Sequence, residues 1–241
     1  MNQTKKLEKR SRNRQKKAPH NKSTAQVVSQ PAAKGIVMGR AMPVFNGKAG
    51  VLRLRHHEIL QTIVSTTDKY TVRSVNLIPA NFSWLSSVAV NFSKWKWHAL
   101  NLVYVPACST SVQGNIDMAL QYDGNDILAA TPEELSVMYG HSGGPVWSGT
   151  AGCRLLDNAT ISMRGKPPDA IATIVDVAKF SKPNYLYRAG DRNSTTQTTY
   201  NTCESEYGVT AGITPAVGAI GYIWATYDVE MFEPIPARLN K

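Results

Sequence analysis

The chain has 241 residues, 42% of them hydrophobic, and a formal net charge of +10. It is long enough to bury a core in one large β domain or two small ones. No apolar run reaches the roughly 18 residues of a membrane span, and the charged N-terminus has no apolar stretch behind it, which argues against a secretory signal.

The sequons at Asn81, Asn91 and Asn158 then read as chance matches. Three cysteines, Cys108, Cys153 and Cys203, lie far apart and form no CxxC pair. That spacing speaks against a zinc site or a disulfide framework and for buried thiols in a reducing compartment.

The positive charge is concentrated. Residues 1–22 hold Lys5, Lys6, Lys9, Arg10, Arg12, Arg14, Lys16, Lys17 and Lys22 against the single acid Glu8, a formal +8 that leaves only +2 for the rest. The stretch from Lys5 to Gly35 has few apolar residues and no aromatic. It cannot bury enough surface to offset its conformational entropy and is expected to be disordered alone. Such a run releases counterions from a phosphate backbone, and a flexible arm of this kind suits single-stranded RNA. The same composition also fits a nuclear-localisation signal or a solubilising tail. Residues 31–50, rich in Gly, Pro and Ala, read as an extended linker. The expected division is therefore an arm and linker over 1–50 and a body over 51–241.

Within the body, residues 51–65 and 70–80 alternate as strands. "NFSWLSSVAVNFSKW" places Trp84, Leu85, Val88, Ala89 and Phe92 on one helical face, with Asn81 or Ser83 as the N-cap. Residues 115–123 are the clearest strand, with Ile116, Met118, Leu120 and Tyr122 on one face and Asn115, Asp117, Ala119, Gln121 and Asp123 on the other. "TPEELSVMYG" begins with the cap Thr131, Pro132 and two acids, a second helix expected to end at Gly140.

That helix leads into "GHSGGP" (Gly140–Pro145), the neighbourhood of the nucleophile in chymotrypsin-like serine proteases. In this reading Ser142 attacks a carbonyl, the backbone N–H groups of Gly140 and Ser142 hold the oxyanion, and His57 with Asp68 or Asp117 completes the triad. Neither histidine setting suits a triad. The bland reading makes Ser142–Pro145 a turn, with Val146–Trp147 opening the next strand. Near the C-terminus Ile223, Ala225, Tyr227, Val229 and Met231 alternate with Trp224, Thr226, Asp228 and Glu230. The five tryptophans are scattered and read as packing residues. His56, His57 and His98 do not form a metal set, and Arg53, Arg55, Lys94 and Lys96 fit either RNA contacts or solvated strand faces. An all-β antiparallel sandwich with short connecting helices follows.

The order of these elements resembles a known family. A basic arm, a linker, a strand pair, a helix and then "WKWHALNLVYVPACSTSVQGNIDMALQYDGND" is similar to the coat proteins of small icosahedral plant RNA viruses. Tyr104, Pro106, Cys108, Gly114, Ile116, Met118, Tyr122, Asp123 and Asp126 carry the pattern. The sobemovirus coats look nearest, with the tombusvirus and necrovirus shell domains next. The resemblance implies an eight-stranded jelly roll that assembles from identical subunits, with T=3 symmetry, around viral single-stranded RNA. It places the protein in the virion and the host cytoplasm, with the nucleus an open alternative through the composition of the arm.

Asp123 and Asp126 on one loop are hard oxygen ligands of the kind Ca²⁺ takes, though fewer than the six to eight it needs. From the residues alone the cap of a β-turn is the favoured reading, and only the resemblance turns the balance towards a metal. The resemblance implies an intersubunit Ca²⁺, with Asn240 of a neighbour, or a carbonyl near Tyr185 or Tyr187, completing the shell. Three functions stand at this point: an RNA-packaging capsid subunit, a serine protease and a cellular RNA-binding β module.

Overall fold

The computed structural model describes residues 43–48, 50–64, 70–123, 126–148, 170–180, 184–187, 219–239 and the backbone of 204–209. The chain divides into two units, Met1–Pro31 and Ala32–Lys241, and every described residue belongs to the second. In chain order the elements are β1 (Val44–Lys48), β2 (Val51–Val64), β3 (Thr71–Asn76), α1 (Leu85–Ala89), β4 (Phe92–Pro106), β5 (Asn115–Gln121), α2 (Pro132–Ser136), β6 (Tyr139–Pro145), β7 (Ala172–Ile174), β8 (Tyr185–Leu186), β9 (Glu204–Val209) and β10 (Ala219–Pro234), with single 3-10 turns at Pro79–Asn81, Val177–Lys179 and Ala237–Leu239.

One sheet runs β1-β2-β10-β4-β7, with β8 also on β4; the other runs β3-β9-β5-β6. Every pairing is antiparallel. Stripped of the β1 hairpin and the short β8, four strands face four, the antiparallel sandwich read from the alternation and the jelly roll that the resemblance implies. Part of the expected linker is itself a strand. Val44 pairs with Arg55 and Lys48 with Val51, and Gly50 makes the tight return with φ of +80°.

The alternation read in the sequence sets which side chains enter the core. On β10, Ile223, Ala225, Tyr227, Val229 and Met231 are all fully buried, and on β5 so are Ile116, Met118 and Leu120. Ala119, on the opposite face of β5, is buried too, because Leu135 of α2 and Ala129 cover it. The long β4 supplies Trp95, Trp97, Leu100, Leu102 and Tyr104 to the same core. Tyr104 bridges the core, its hydroxyl donating to the carbonyls of Val146 (2.7 Å) and Ile220 (3.1 Å).

The first helix is shorter than its pattern. It spans a single turn, and Phe92 already belongs to β4, whose aromatic and β-branched residues favour the sheet. Neither Asn81 nor Ser83 caps it. Glu58 of β2 does so from across the core, accepting from the N–H groups of Trp84 (2.6 Å) and Leu85 (3.1 Å) and from the Tyr227 hydroxyl (2.7 Å). The second helix matches expectation at its start, with the Thr131 side chain accepting from the Glu134 N–H at 3.3 Å. It ends at Ser136, ahead of Gly140.

Candidate metal loop, glycine strand and charged sheet face

The three features singled out by chemistry fall in different places. The candidate metal pair follows β5. Asp123 and Asp126 are exposed, and the Asp126 N–H donates to the Asp123 carbonyl at 3.2 Å, which closes a turn. The Asp123 N–H donates to Gln121 Oε1 at 3.3 Å. The root of the loop is pinned by Tyr122, whose hydroxyl accepts from the Asp176 N–H at 2.8 Å and whose ring meets Tyr139 edge-on. Asn240 lies outside the described residues. Tyr185 and Tyr187 are tied to β4, Tyr185 by pairing with Trp95 and Tyr187 by donating to the Ser93 carbonyl. Among the described residues no group of three or more His, Cys, Asp or Glu side chains converges. Two carboxylates suit a hard cation but supply only part of its shell.

The glycine motif is not a turn. All of "YGHSGGP" is β6, and the turn falls one step later, where the Ser148 N–H donates to the Pro145 carbonyl. The glycines are required by close neighbours. A Cβ on Gly143 would sit 2.0 Å from Asp117 Oδ1, and one on Gly144 3.2 Å from the Ile171 side chain. Asp117 lies across Gly143 because His141 Nε2 (3.2 Å) and the Tyr70 hydroxyl (3.3 Å) hold its carboxylate there. Gly140 adopts φ of +68° within the strand.

Ser142, His141 and Asp117 are thus neighbours, yet they cannot act as a triad. His141 and Ser142 are consecutive strand residues and point to opposite faces. Ser142 is 2% exposed, and its Oγ accepts from the Ala172 N–H at 3.1 Å. His57 belongs to β2 in the other sheet. A buried hydroxyl serving a backbone donor has no access to a substrate carbonyl.

The outward face of the larger sheet carries the charge. β10 places Asp228 and Glu230 there, flanked by Arg53 and Arg55 on β2 and by Lys96 and His98 on β4. The buried Asp228 carboxylate takes Arg53 through Nε (2.8 Å) and a terminal nitrogen (2.7 Å), and Arg55 through Nε (2.9 Å). Hydrogen bonding to Asp228 raises the Arg53 pKa. Glu230 holds His98 Nε2 at 2.7 Å, and Glu233 holds Lys94 and Ser93. Those last bonds, Lys94 first, lower the Glu233 pKa. Sequence reading named the bases of this face but missed its organising acid. Asp228 shows only as a polar position on an alternating strand, and the sequence does not say that β2 lies beside it.

The nine cations of the arm, Lys5 to Lys22, lie outside the described residues. Cys108 is half-buried, its thiol pushed up by burial, as expected of an unreactive cysteine.

Residues 25–237 match the family model described as viral coat protein (S domain). The chain belongs to that family. The capsid protein of Poinsettia latent virus is 29% identical over 91% of this chain and 74% of its own length. That of Tobacco necrosis virus strain A is 30% identical over 87% and 76%. The solved structure of tobacco necrosis virus superimposes with a TM-score of 0.77 at 28% identity, covering 88% of this chain and 96% of that one. Cocksfoot mottle virus shares the fold with a TM-score of 0.67 at 18% identity, over 84% and 100%. The likeness is stronger to the necrovirus than to the sobemovirus coat, the reverse of the order read from the sequence. The protein is a viral capsid subunit that self-assembles into an icosahedral shell and a structural component of the virion. It is neither a protease nor a cellular RNA-binding module, and the membership removes both readings.

Proposed function

We propose that this subunit packages viral single-stranded RNA through residues 1–22 and builds a T=3 shell whose contacts are tightened by Ca²⁺. The segregation of charge carries the reading. A formal +8 sits in 22 residues, attached to a coat-protein body of only +2. That arrangement separates genome neutralisation from subunit packing, since cations that meet phosphate need not be buried between subunits. Asp123 and Asp126, exposed on one turn, would supply part of the Ca²⁺ shell, with Asn240 of a neighbouring subunit adding to it. Assembly takes place in the host cytoplasm, and the arm has the composition of a nuclear-entry signal as well. Among the described residues no helix is long and apolar enough to cross a membrane.

Electron microscopy of the purified protein, with and without EDTA, tests the shell and its metal together. Uniform spheres that swell in chelator are expected, and Asp123→Asn with Asp126→Asn should remove the response. Retention of wild-type chelator sensitivity in that double variant would end the Ca²⁺ assignment. Deleting residues 1–22 should give RNA-poor and smaller particles; full RNA content in normal-sized ones would refute the role of the arm.

A further inference from the structure

The connection from β5 to β6 is fixed on its inner side and apolar on its outer side. Leu135 of α2 is fully buried with Ala129 against Ala119 of β5, and Met138 packs on the same cluster. The Thr131 hydroxyl accepts from the Glu134 N–H at 3.3 Å, and the Glu134 carboxylate accepts from the Ala130 N–H at 2.7 Å, so each end of that turn holds the other. Outside, Ile127 (93%) and Val137 (85%) are the two most exposed large hydrophobic side chains among the described residues. Leu128 (39%) and Tyr139 (43%) belong to the same stretch, which brackets α2. Scattered apolar residues on a surface are ordinary, whereas a group on one short connection marks a contact.

The stretch is also acidic. Between Gln121 and Tyr139 stand Asp123, Asp126, Glu133 and Glu134, with no Lys, Arg or His. All four acids are exposed. Lys179, its ammonium 3.6 Å from the centre of the Tyr139 ring, offsets one of them. Tyr139 pairs with Leu120 at the end of β5 and its ring meets Tyr122, the residue before Asp123, at 5.3 Å. The apolar side chains therefore continue from the candidate metal loop at one end of the smaller sheet.

We propose that residues 127–139 are one half of a subunit contact, docking Ile127, Leu128, Val137 and Tyr139 on a different surface of a second copy of this chain. A coat protein associates with itself, which makes a second copy the occupant. Apolar side chains on a support already held by Leu135 and the Thr131 cap lose little freedom on docking, which is what an anchor requires. The acids decide the geometry. An isologous contact would set this stretch against itself and double its carboxylates, with the repulsion that like charges bring. A heterologous contact avoids that by placing the stretch on a less acidic surface of the next copy, and repeated by rotation it closes into a ring. Ca²⁺ at Asp123 and Asp126 would stand at the margin of this contact, adding to the apolar anchor rather than replacing it.

The inference deepens the shell-building reading and rests on it, and the two fail differently. Hydroxyl-radical footprinting compares free wild-type subunits with assembled particles. Oxidation of Ile127, Leu128 and Tyr139 should fall several-fold on assembly; an unchanged pattern in intact particles would overturn the contact and leave the shell standing. Ile127→Ser with Val137→Ser changes two exposed positions, so the subunit should keep its wild-type tryptophan fluorescence. It should raise the subunit concentration needed for assembly by about tenfold or more, since burying one branched side chain is worth more than that factor. Val137→Ile should assemble like wild type, and shells formed by the serine variant at the wild-type concentration would refute the anchor. For the geometry, a minority of light subunits with Val137 replaced by benzoylphenylalanine is assembled with heavy-isotope wild type and irradiated. Adducts to heavy peptides outside residues 121–139 are expected. Adducts to heavy peptides within that stretch, or to light peptides alone, would overturn the heterologous contact. Wild-type protein that forms no particles would end this inference and the shell reading together, while chelator and the Asp123 and Asp126 variants test the metal separately.

Discussion

Replacing Glu58 by Gln should destabilise the subunit by about 3 kcal/mol. The side chain is 8% exposed and accepts from three donors, the N–H groups of Trp84 and Leu85 and the Tyr227 hydroxyl. Burial, and secondarily the Glu58 carboxylate, push the Tyr227 phenol far up, so it stays a donor throughout the usable pH range. Glutamine keeps the volume but has one acceptor oxygen, and its amide nitrogen must face a donor. At least one of the three donors is then orphaned, at about 1–3 kcal/mol, and the remaining bonds lose the strength that a charged acceptor gives. For a chain of this size, about 3 kcal/mol lowers Tm by roughly 6–12 °C. Tryptophan fluorescence during heating reports it locally, since Trp84 and Trp97 flank the cap. Tyr227→Phe removes one of the three donors. The double variant should therefore lose less than the sum of the singles. A Glu58→Gln protein melting within about 2 °C of wild type would refute the claim that this carboxylate organises the start of α1.

The glycine strand gives a paired test: Gly143→Ala, whose Cβ would fall 2.0 Å from the held Asp117 carboxylate, should cost well over the typical 1–3 kcal/mol of overpacking. Gly144→Ala meets only the flexible end of Ile171 at 3.2 Å and should cost much less; equal losses in a denaturation series would contradict the geometry. Ser142→Ala should lose about 1–3 kcal/mol by orphaning the Ala172 N–H, and wild-type Ser142 should resist a fluorophosphonate, with labelling of the native protein as the contrary result. His56 is buried against Trp84 and Tyr227, beside His57 and two residues from Glu58, and among the described residues its Nδ1 meets no hydrogen-bond partner. Burial first, and His57 second, hold its pKa below the ordinary value of 6.5. The unfolded chain then binds the proton more readily, so stability should fall as pH drops through about 6.5 towards the folded value. His56→Phe should flatten that slope between pH 7 and 5, and an unchanged slope would assign it elsewhere.

What could be read from the sequence was whatever depends on alternation within one segment. The faces of β5 and β10 and the cap of α2 follow from residues two to four apart. What could not be read depends on a neighbour distant in the chain. α1 looked longer because Val88, Ala89 and Phe92 suit a helix face, while the pairing that draws Phe92 into β4 involves Pro234. Its cap sits 26 residues away in β2. The Gly-Gly of the protease-like motif carried a real signal, the need for space, but the cause is Asp117 crossing the neighbouring strand rather than an oxyanion pocket. Ala119 looked like an exposed position because α2, which buries it, is contributed by the following connection.

β10 shows how packing and charge are bound together in one element. Tyr227 faces inward to Glu58 and the aromatic core, while its neighbour Asp228 faces outward to Arg53 and Arg55. Because strand side chains alternate with a period of two, a slip of one residue would put Asp228 into the core and Tyr227 among the arginines. The cost of either error fixes the register of the central strand against both β2 and β4. The same register that seals the core therefore leaves Lys96 opposite a carboxylate already committed to His98.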